Sequence, residues 1–251
     1  PNSPVIMEPI FAIDMHVRAL STASLGAMAN IMRATHLDEA IFASLCRESD
    51  MYHVLQRCAI LVSRMALTMP PPMFHDMVRA TASWPDLCRR LISTSATLSL
   101  ARSRKLVALG LAHMLRHASA QDKGLLSAVP DMIGMWTEVV GEVVEDEAGS
   151  ADRYERELSP TRALEIGEDG IPFLDEFGLI EAAPTPSSAR TDAVRSRDPS
   201  FNVPLRAYVA DTLNAVLQNG SYKTQLQSLL ATIDPLVLDT LQRGLSERPV
   251  A

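Results

Sequence analysis

The chain has 251 residues, of which 47% are hydrophobic and 21% are charged, and its formal net charge is −7. This composition is typical of a folded globular protein with enough apolar material for a sizeable core. No apolar run reaches the roughly 18 residues that a membrane-spanning helix needs, so membrane insertion is not expected. The first residues lack the basic segment and cleavage site of a signal peptide, and they also lack an initiator Met, which indicates a fragment of a longer protein.

The acidic charge is concentrated in one part of the chain. Residues 138–181 contain 14 acidic and three basic residues, a net charge of −11, whereas all remaining residues together have a net charge of +4. The average charge therefore hides a mildly basic protein that carries one strongly acidic segment.

The N-terminal half has the apolar period of α-helices. Helical segments are predicted at Ser24–Ala34, Leu37–Glu48, Tyr52–Leu67 and Pro71–Ala80. A further helix at Ser103–His117 is apolar over more than half of its circumference. Such a helix is expected to pack against partners on more than one side.

The next helix has a narrower apolar stripe. Pro130 and Asp131 suit its first turn, where a missing N–H and a negative charge are both tolerated. The stripe residues recur at helical spacing and predict one buried face: Val129, Ile133, Trp136, Val140 and Val143.

Residues 146–198 break this pattern. They are rich in Pro, Ser, Gly and acidic residues, with little apolar area to offset the entropy of ordering the chain, so they predict a long, largely flexible acidic insertion. Within it, the apolar cluster from Ile171 to Ile180 is expected to dock onto the helical surface of the same chain, with docking onto a partner as the alternative.

Three more helices are predicted after the insertion, at residues 204–217, 222–233 and 234–245. The last has Asp234 as N-cap, Pro235 at its first position and Gly244 near its end. Alternating strand patterns are absent, and helix pairs recur at about 40 residues. We therefore predict an all-α fold, an α-solenoid of HEAT-type helix pairs, divided into helices at 1–145, the insertion at 146–198 and C-terminal capping helices at 199–251. A compact helical bundle is the alternative.

The sequence contains no pattern that predicts an enzyme. Nucleotide-binding glycine loops and the serine-hydrolase motif are absent, so neither catalytic residues nor a cofactor site is expected.

His113 and His117 have the i, i+4 spacing of metal ligands, but Met114, Leu115 and Arg116 lie between them, and we predict no metal site. The basic group Arg102, Arg104 and Lys105 lacks interleaved aromatic residues, so direct nucleic-acid binding is not expected. A solvated face or a contact with the acidic insertion is the better interpretation. The odd number of widely spaced cysteines suits a reducing compartment: Cys46, Cys58 and Cys88.

Two stretches resemble the C-terminal region of the importin-β superfamily of nuclear transport receptors. One is SRKLVALGLAHML, from Ser103 to Leu115, and the other runs from RDPSFNVPLRAY to LQRGL. The likeness rests on a helix followed by a charged linker, an Asp-Pro step and the final helices, and it is closest to the importin-eleven type, called karyopherin-120 in fungi. The residues that carry it in the second stretch are Asp198, Pro199, Leu205, Tyr208, Leu229, Leu230, Ile233, Leu241 and Leu245.

The resemblance implies a nuclear import receptor that shuttles between nucleus and cytoplasm. It implies Ran-GTP as a partner, held mainly by N-terminal repeats outside this chain, together with Phe-Gly nucleoporins and basic cargo such as ribosomal proteins or ribosome-assembly factors. A helical-repeat scaffold of another class, such as a phosphatase or trafficking adaptor, is the alternative.

The acidic residues at the end of the striped helix are the candidate cargo site. Glu138, Glu142 and Glu145 lie at i, i+4 and i+7, opposite the apolar stripe, and Asp146 and Glu147 extend them. We name these five residues the acidic face. Its carboxylates would attract basic cargo. The competing interpretation is a solvated surface that leads into a solubilising tether.

Overall fold

The computed structural model describes residues 22–46, 52–122, 124–149 and 198–246, together with residues 10, 12–14, 16 and 17. In the helix that ends at Gly149, side chains are described only as far as Glu142. The side chains of Thr22, Ala23, Phe201 and Ser221 are not described. The predicted insertion at 146–198 and its apolar cluster therefore lie largely outside the described residues.

The described residues form helices and connecting turns, without β-strands. In chain order the α-helices are α1 Thr22–Ala34, α2 Leu37–Cys46, α3 Tyr52–Thr68, α4 Pro71–Thr81, α5 Trp84–Ser95, α6 Ala101–Arg116, α7 Val129–Gly149, α8 Pro199–Asn202, α9 Leu205–Gln218, α10 Gly220–Leu230 and α11 Pro235–Ser246. A 3-10 turn at Leu126–Ala128 leads into α7. The prediction of an all-α solenoid is confirmed.

Helix α5 was absent from the sequence-based prediction. Its start nevertheless carries a clear local signal, because Ser83 accepts a hydrogen bond from the Asp86 backbone N–H and Pro85 occupies the first turn. With α5 in place, α1, α3 and α5 begin at residues 22, 52 and 84, at intervals of about 30 residues. The predicted interval of about 40 residues was too long in this part of the chain because one helix was missed.

Helix α6 lies at the centre of the array. It packs against α3, α5, α7, α8 and α9, which confirms that its wide apolar surface has several partners. The seven consecutive residues from Leu106 to Ala112 are all buried. The striped helix α7 packs on α6 and α11, and Val129, Ile133, Trp136 and Val140 are at most 1% exposed.

Close approach of two helices at this centre requires a glycine. A Cβ atom added at Gly110 of α6 would lie 2.9 Å from both Cα and Cβ of Ser63 in α3, closer than real Cβ contacts allow. Ser63 is itself fully buried. Small residues on both helices therefore set the α3–α6 separation.

The C-terminal helices pack directly on the N-terminal block. Helix α9 lies against α6, and α11 lies against α7. Asp234 accepts a hydrogen bond from the Leu236 N–H at 2.8 Å, which confirms it as the N-cap of α11. Gly244 lies inside the last turn of α11 rather than after it, because the helix continues to Ser246. A Cβ atom added at Gly244 would lie 2.9 Å from Cγ1 of Val140. The absence of a side chain therefore allows α11 to pack closely against α7.

Candidate functional site

The acidic face is positioned by the packing of α7 on α6. Trp136 is fully buried, and its Nε1–H donates to the carbonyl of Ala108 at 3.1 Å, which fixes the rotation of α7 about its axis. Glu138 and Glu142 consequently lie on the side away from the buried stripe. Their side chains are 67% and 38% exposed.

Arg104 of α6 bridges the two described carboxylates of the acidic face. Its Nη1 pairs with Glu142 Oε1, and its Nη2 lies 3.3 Å from Glu138 Oε2. The Arg104 side chain is only 15% exposed, so most of it is shielded from solvent. Part of the basic group at the start of α6 therefore contacts acidic residues of α7 that precede the predicted insertion. The predicted contact with the insertion itself falls on residues outside the described ones. The remaining acidic-face residues, Glu145, Asp146 and Glu147, continue α7, but their side chains lie outside the described ones.

His113 and His117 form part of an aromatic junction between α6 and α9. Their rings are 4.4 Å apart, and His113 Nδ1 is hydrogen-bonded to the Tyr208 hydroxyl. The guanidinium of Arg116 lies 5.5 Å from the centre of the Tyr208 ring. Within the described part of the chain, no group of three or more His, Cys, Asp or Glu residues has the arrangement of a metal site. Through its hydrogen bond to Tyr208, His113 connects α6 with α9.

This junction makes the protein sensitive to acid. Burial, together with the positive charges of His117, His75 and Arg116, lowers the pKa of His113 to about 4. The unfolded chain takes up a proton near pH 6.5, whereas the folded protein resists it. The stabilisation that comes from keeping His113 neutral is therefore fully present above pH 6.5 and is lost as the pH falls towards 4, by about 3 kcal/mol. Urea unfolding at pH 7 and pH 4.5 should show a smaller loss for His113→Gln. The exposed-histidine control His53→Gln should match the parent; equal losses in all three proteins would contradict this assignment.

Asp122 is a second buried polar centre, which the sequence did not reveal. It accepts hydrogen bonds from His75 Nδ1 at 2.9 Å, Arg79 Nη1 at 2.8 Å and Trp84 Nε1 at 3.1 Å. It also accepts from the backbone N–H and hydroxyl of Ser119 at 2.7 and 2.8 Å. These donors come from α4, α5 and the loop after α6. Because they are far apart in the sequence, no fixed spacing predicts the cluster.

A groove of about 260 Å³ lies beside this cluster, between the 118–126 loop and α10. Tyr222 and Gln225 line one side, and Ser119, Gly124 and Leu126 line the other. Asp122 also lines the groove, and its carboxylate accepts the five hydrogen bonds described above. The groove therefore presents no carboxylate poised for proton transfer.

The cysteines provide no reactive centre in the described structure. Burial raises the pKa of Cys58 to about 12, and burial with the nearby Cys46 raises that of Cys88 to about 12. Both are buried, as expected for structural thiols; Cys46 is half-buried, and burial also raises its pKa.

Among the described helices, none combines the length and the apolar character required to cross a membrane.

Comparison with known proteins identifies the family. The family model described as "Importin-11-like, TPR repeats" matches residues 10–246. No curated protein and no solved structure matches the chain. The description names TPR rather than HEAT repeats, but both are stacks of helix pairs. The match extends from α1 to α11 and across the segment between α7 and α8, and the chain therefore belongs to the importin-11-like family of helical-repeat proteins.

Proposed function

We propose that this chain is part of a nuclear import receptor of the importin-eleven type, which carries basic cargo proteins through nuclear pores under the control of Ran-GTP. The observation that carries the proposal is the family match over residues 10–246, on a chain that folds as a helical array. Ran-GTP is held mainly by repeats outside this chain, and Phe-Gly nucleoporins bind the receptor during passage. The receptor shuttles between cytoplasm and nucleus.

The acidic face is the proposed cargo contact. The carboxylates of the acidic face attract Lys and Arg side chains and accelerate encounter, while other contacts determine the fit of a cargo. Arg104 already neutralises part of this surface, so a cargo cation has to compete with it for Glu138 and Glu142. The Arg104 pairing limits non-selective binding of weakly basic proteins.

Charge reversal tests the cargo contact. A variant that combines Glu142→Lys, Glu145→Lys, Asp146→Lys and Glu147→Lys should bind a basic cargo about tenfold more weakly at low salt, and the difference should shrink at high salt. Fluorescence anisotropy with a labelled ribosomal-protein segment provides the measurement. Arg104→Gln should have the opposite effect, with affinity about threefold higher, because it leaves both glutamates available.

The control reverses exposed acidic residues on other helices. Asp211 lies on α9 and Asp239 on α11, and both are exposed. Asp211→Lys combined with Asp239→Lys should weaken binding by less than about twofold if the contact is local. Equal weakening in the two sets would indicate a general charge effect, and unchanged affinity at both salt concentrations would leave the acidic face as a solvated surface.

Transport itself is tested with the intact receptor. Cargo captured from a cell extract should be released when GTP-loaded Ran is added and retained when GDP-loaded Ran is added. Cargo that stays bound in the presence of Ran-GTP would contradict an import receptor and favour a scaffold or adaptor.

A further inference from the structure

Arg64 of α3 is buried between two aspartates from distant parts of the chain. Its Nε donates to Asp14 Oδ1 at 2.7 Å, and its Nη1 donates to Asp198 Oδ2 at 2.5 Å. The side chains of Arg64, Asp14 and Asp198 are only 3%, 9% and 4% exposed. Screening by solvent is therefore weak, and the charges act on one another at close range.

The two aspartates hold different segments. Asp14 belongs to the helical turn at 12–14 at the N-terminal end of the described chain. Asp198 is the first described residue after α7, and its other oxygen, Oδ1, caps α8 by accepting from the Ser200 N–H at 2.9 Å. Arg64 thus joins the N-terminal segment and the start of the C-terminal helices to the same position on α3.

One guanidinium here serves two carboxylates. Each carboxylate attracts the cation, but the two repel one another because both lie against the same group. Removing one aspartate removes an attraction and a repulsion together, so the loss is partly offset. Removing the second leaves a buried cation without either of these partners, which is far more costly.

We propose that Arg64 is a shared latch, from which either the N-terminal segment or the start of the C-terminal helices detaches singly while the other stays bound. Detachment of one segment leaves the guanidinium paired with the remaining carboxylate. Detachment of both segments leaves the buried Arg64 guanidinium without either of these carboxylates. The latch therefore permits local opening at either end of the array and opposes simultaneous opening at both.

A double-mutant cycle on the full chain tests the latch. Asp14→Asn and Asp198→Asn should each lower the folding equilibrium constant, measured by urea unfolding. The double variant should lower it at least about fivefold more than the product of the two single effects. If the double variant does not fold, the hydrogen–deuterium exchange of the two single variants decides between a latch and one rigid unit. The exposed pair Arg243–Asp239 supplies the control: Asp239→Asn should combine multiplicatively with Asp14→Asn.

Hydrogen–deuterium exchange provides the second measurement. Asp14→Asn should accelerate exchange in residues 10–17 and leave residues 198–203 as protected as in the parent. Asp198→Asn should do the reverse. Multiplicative losses in the cycle, or faster exchange in both segments of a single variant, would overturn the latch and indicate one rigid unit.

Discussion

Asp122→Ala should lower the free energy of unfolding by about 3–5 kcal/mol, the range typical of breaking a buried charge network. The substitution leaves His75 Nδ1 and Trp84 Nε1 in buried positions without their acceptor, and it removes the partner of Arg79 Nη1. It also releases the 118–122 turn, whose Ser119 N–H and hydroxyl both donate to Asp122. Urea unfolding followed by circular dichroism measures the change.

The comparison with Asp122→Asn separates charge from hydrogen bonding. The amide introduced by Asp122→Asn keeps one acceptor oxygen but loses the negative charge. The free energy of unfolding of Asp122→Asn should therefore lie between that of the parent and that of Asp122→Ala. Asp211→Ala on the exposed face of α9 is the control, with an expected change within about 0.5 kcal/mol. A loss below about 1 kcal/mol for Asp122→Ala would show that the five hydrogen bonds contribute little.

The same network contributes to acid sensitivity. Burial raises the pKa of Asp122, but the hydrogen bonds from His75 and Ser119 outweigh it and hold the pKa below its ordinary value of 3.8. This stabilisation is present above the unfolded-state pKa and is lost as the pH falls through the lower folded-state value. The stabilisation from Asp122 is lost at lower pH than that from His113. The contributions of the two groups can therefore be distinguished in one pH series.

Gly110→Val should lower the free energy of unfolding by about 3 kcal/mol. A side chain at this position meets the backbone of Ser63, so α3 and α6 must move apart along their whole contact. The clash involves backbone atoms of Ser63, and a change of side-chain rotamer does not move backbone atoms. The strain therefore has to be relieved by moving the helices. Gly110→Ala should cost less, since the gain in helix propensity of about 1 kcal/mol offsets part of the clash.

Gly141 in α7 provides a matched control. A Cβ atom at this position meets nothing within 4 Å, and the residue is exposed. Gly141→Ala should therefore stabilise the protein by up to about 1 kcal/mol. Opposite signs for alanine at positions 110 and 141, measured by thermal unfolding, would locate the constraint at the α3–α6 crossing. Stabilisation at both positions would contradict it.

Most helices were predictable because their apolar residues recur with the helical period. Buried residues such as Ile133 and Trp136 mark the inner face of α7, and Asp234 with Pro235 marks the start of α11. Helix α5 was missed although Ser83 and Asp86 form a recognisable N-terminal cap. Its omission also lengthened the apparent repeat interval.

The polar contacts were far less predictable. Arg64 is 50 residues from Asp14 and 134 residues from Asp198, and Asp122 is 47 residues from His75. No spacing rule connects residues at such distances, because the connection depends on which helices become neighbours. The exposure of Glu138 followed from the period of α7, but its pairing with Arg104 required the position of α6.

The helical class, the apolar faces, the acidic segment and the resemblance to importins could all be read from the sequence, because they depend on local period and composition. The folded chain was needed to show which helices meet at Gly110, which carboxylates share Arg64 and which cation neutralises Glu142. The physical reason is that burial and pairing depend on distances between helices that packing alone establishes.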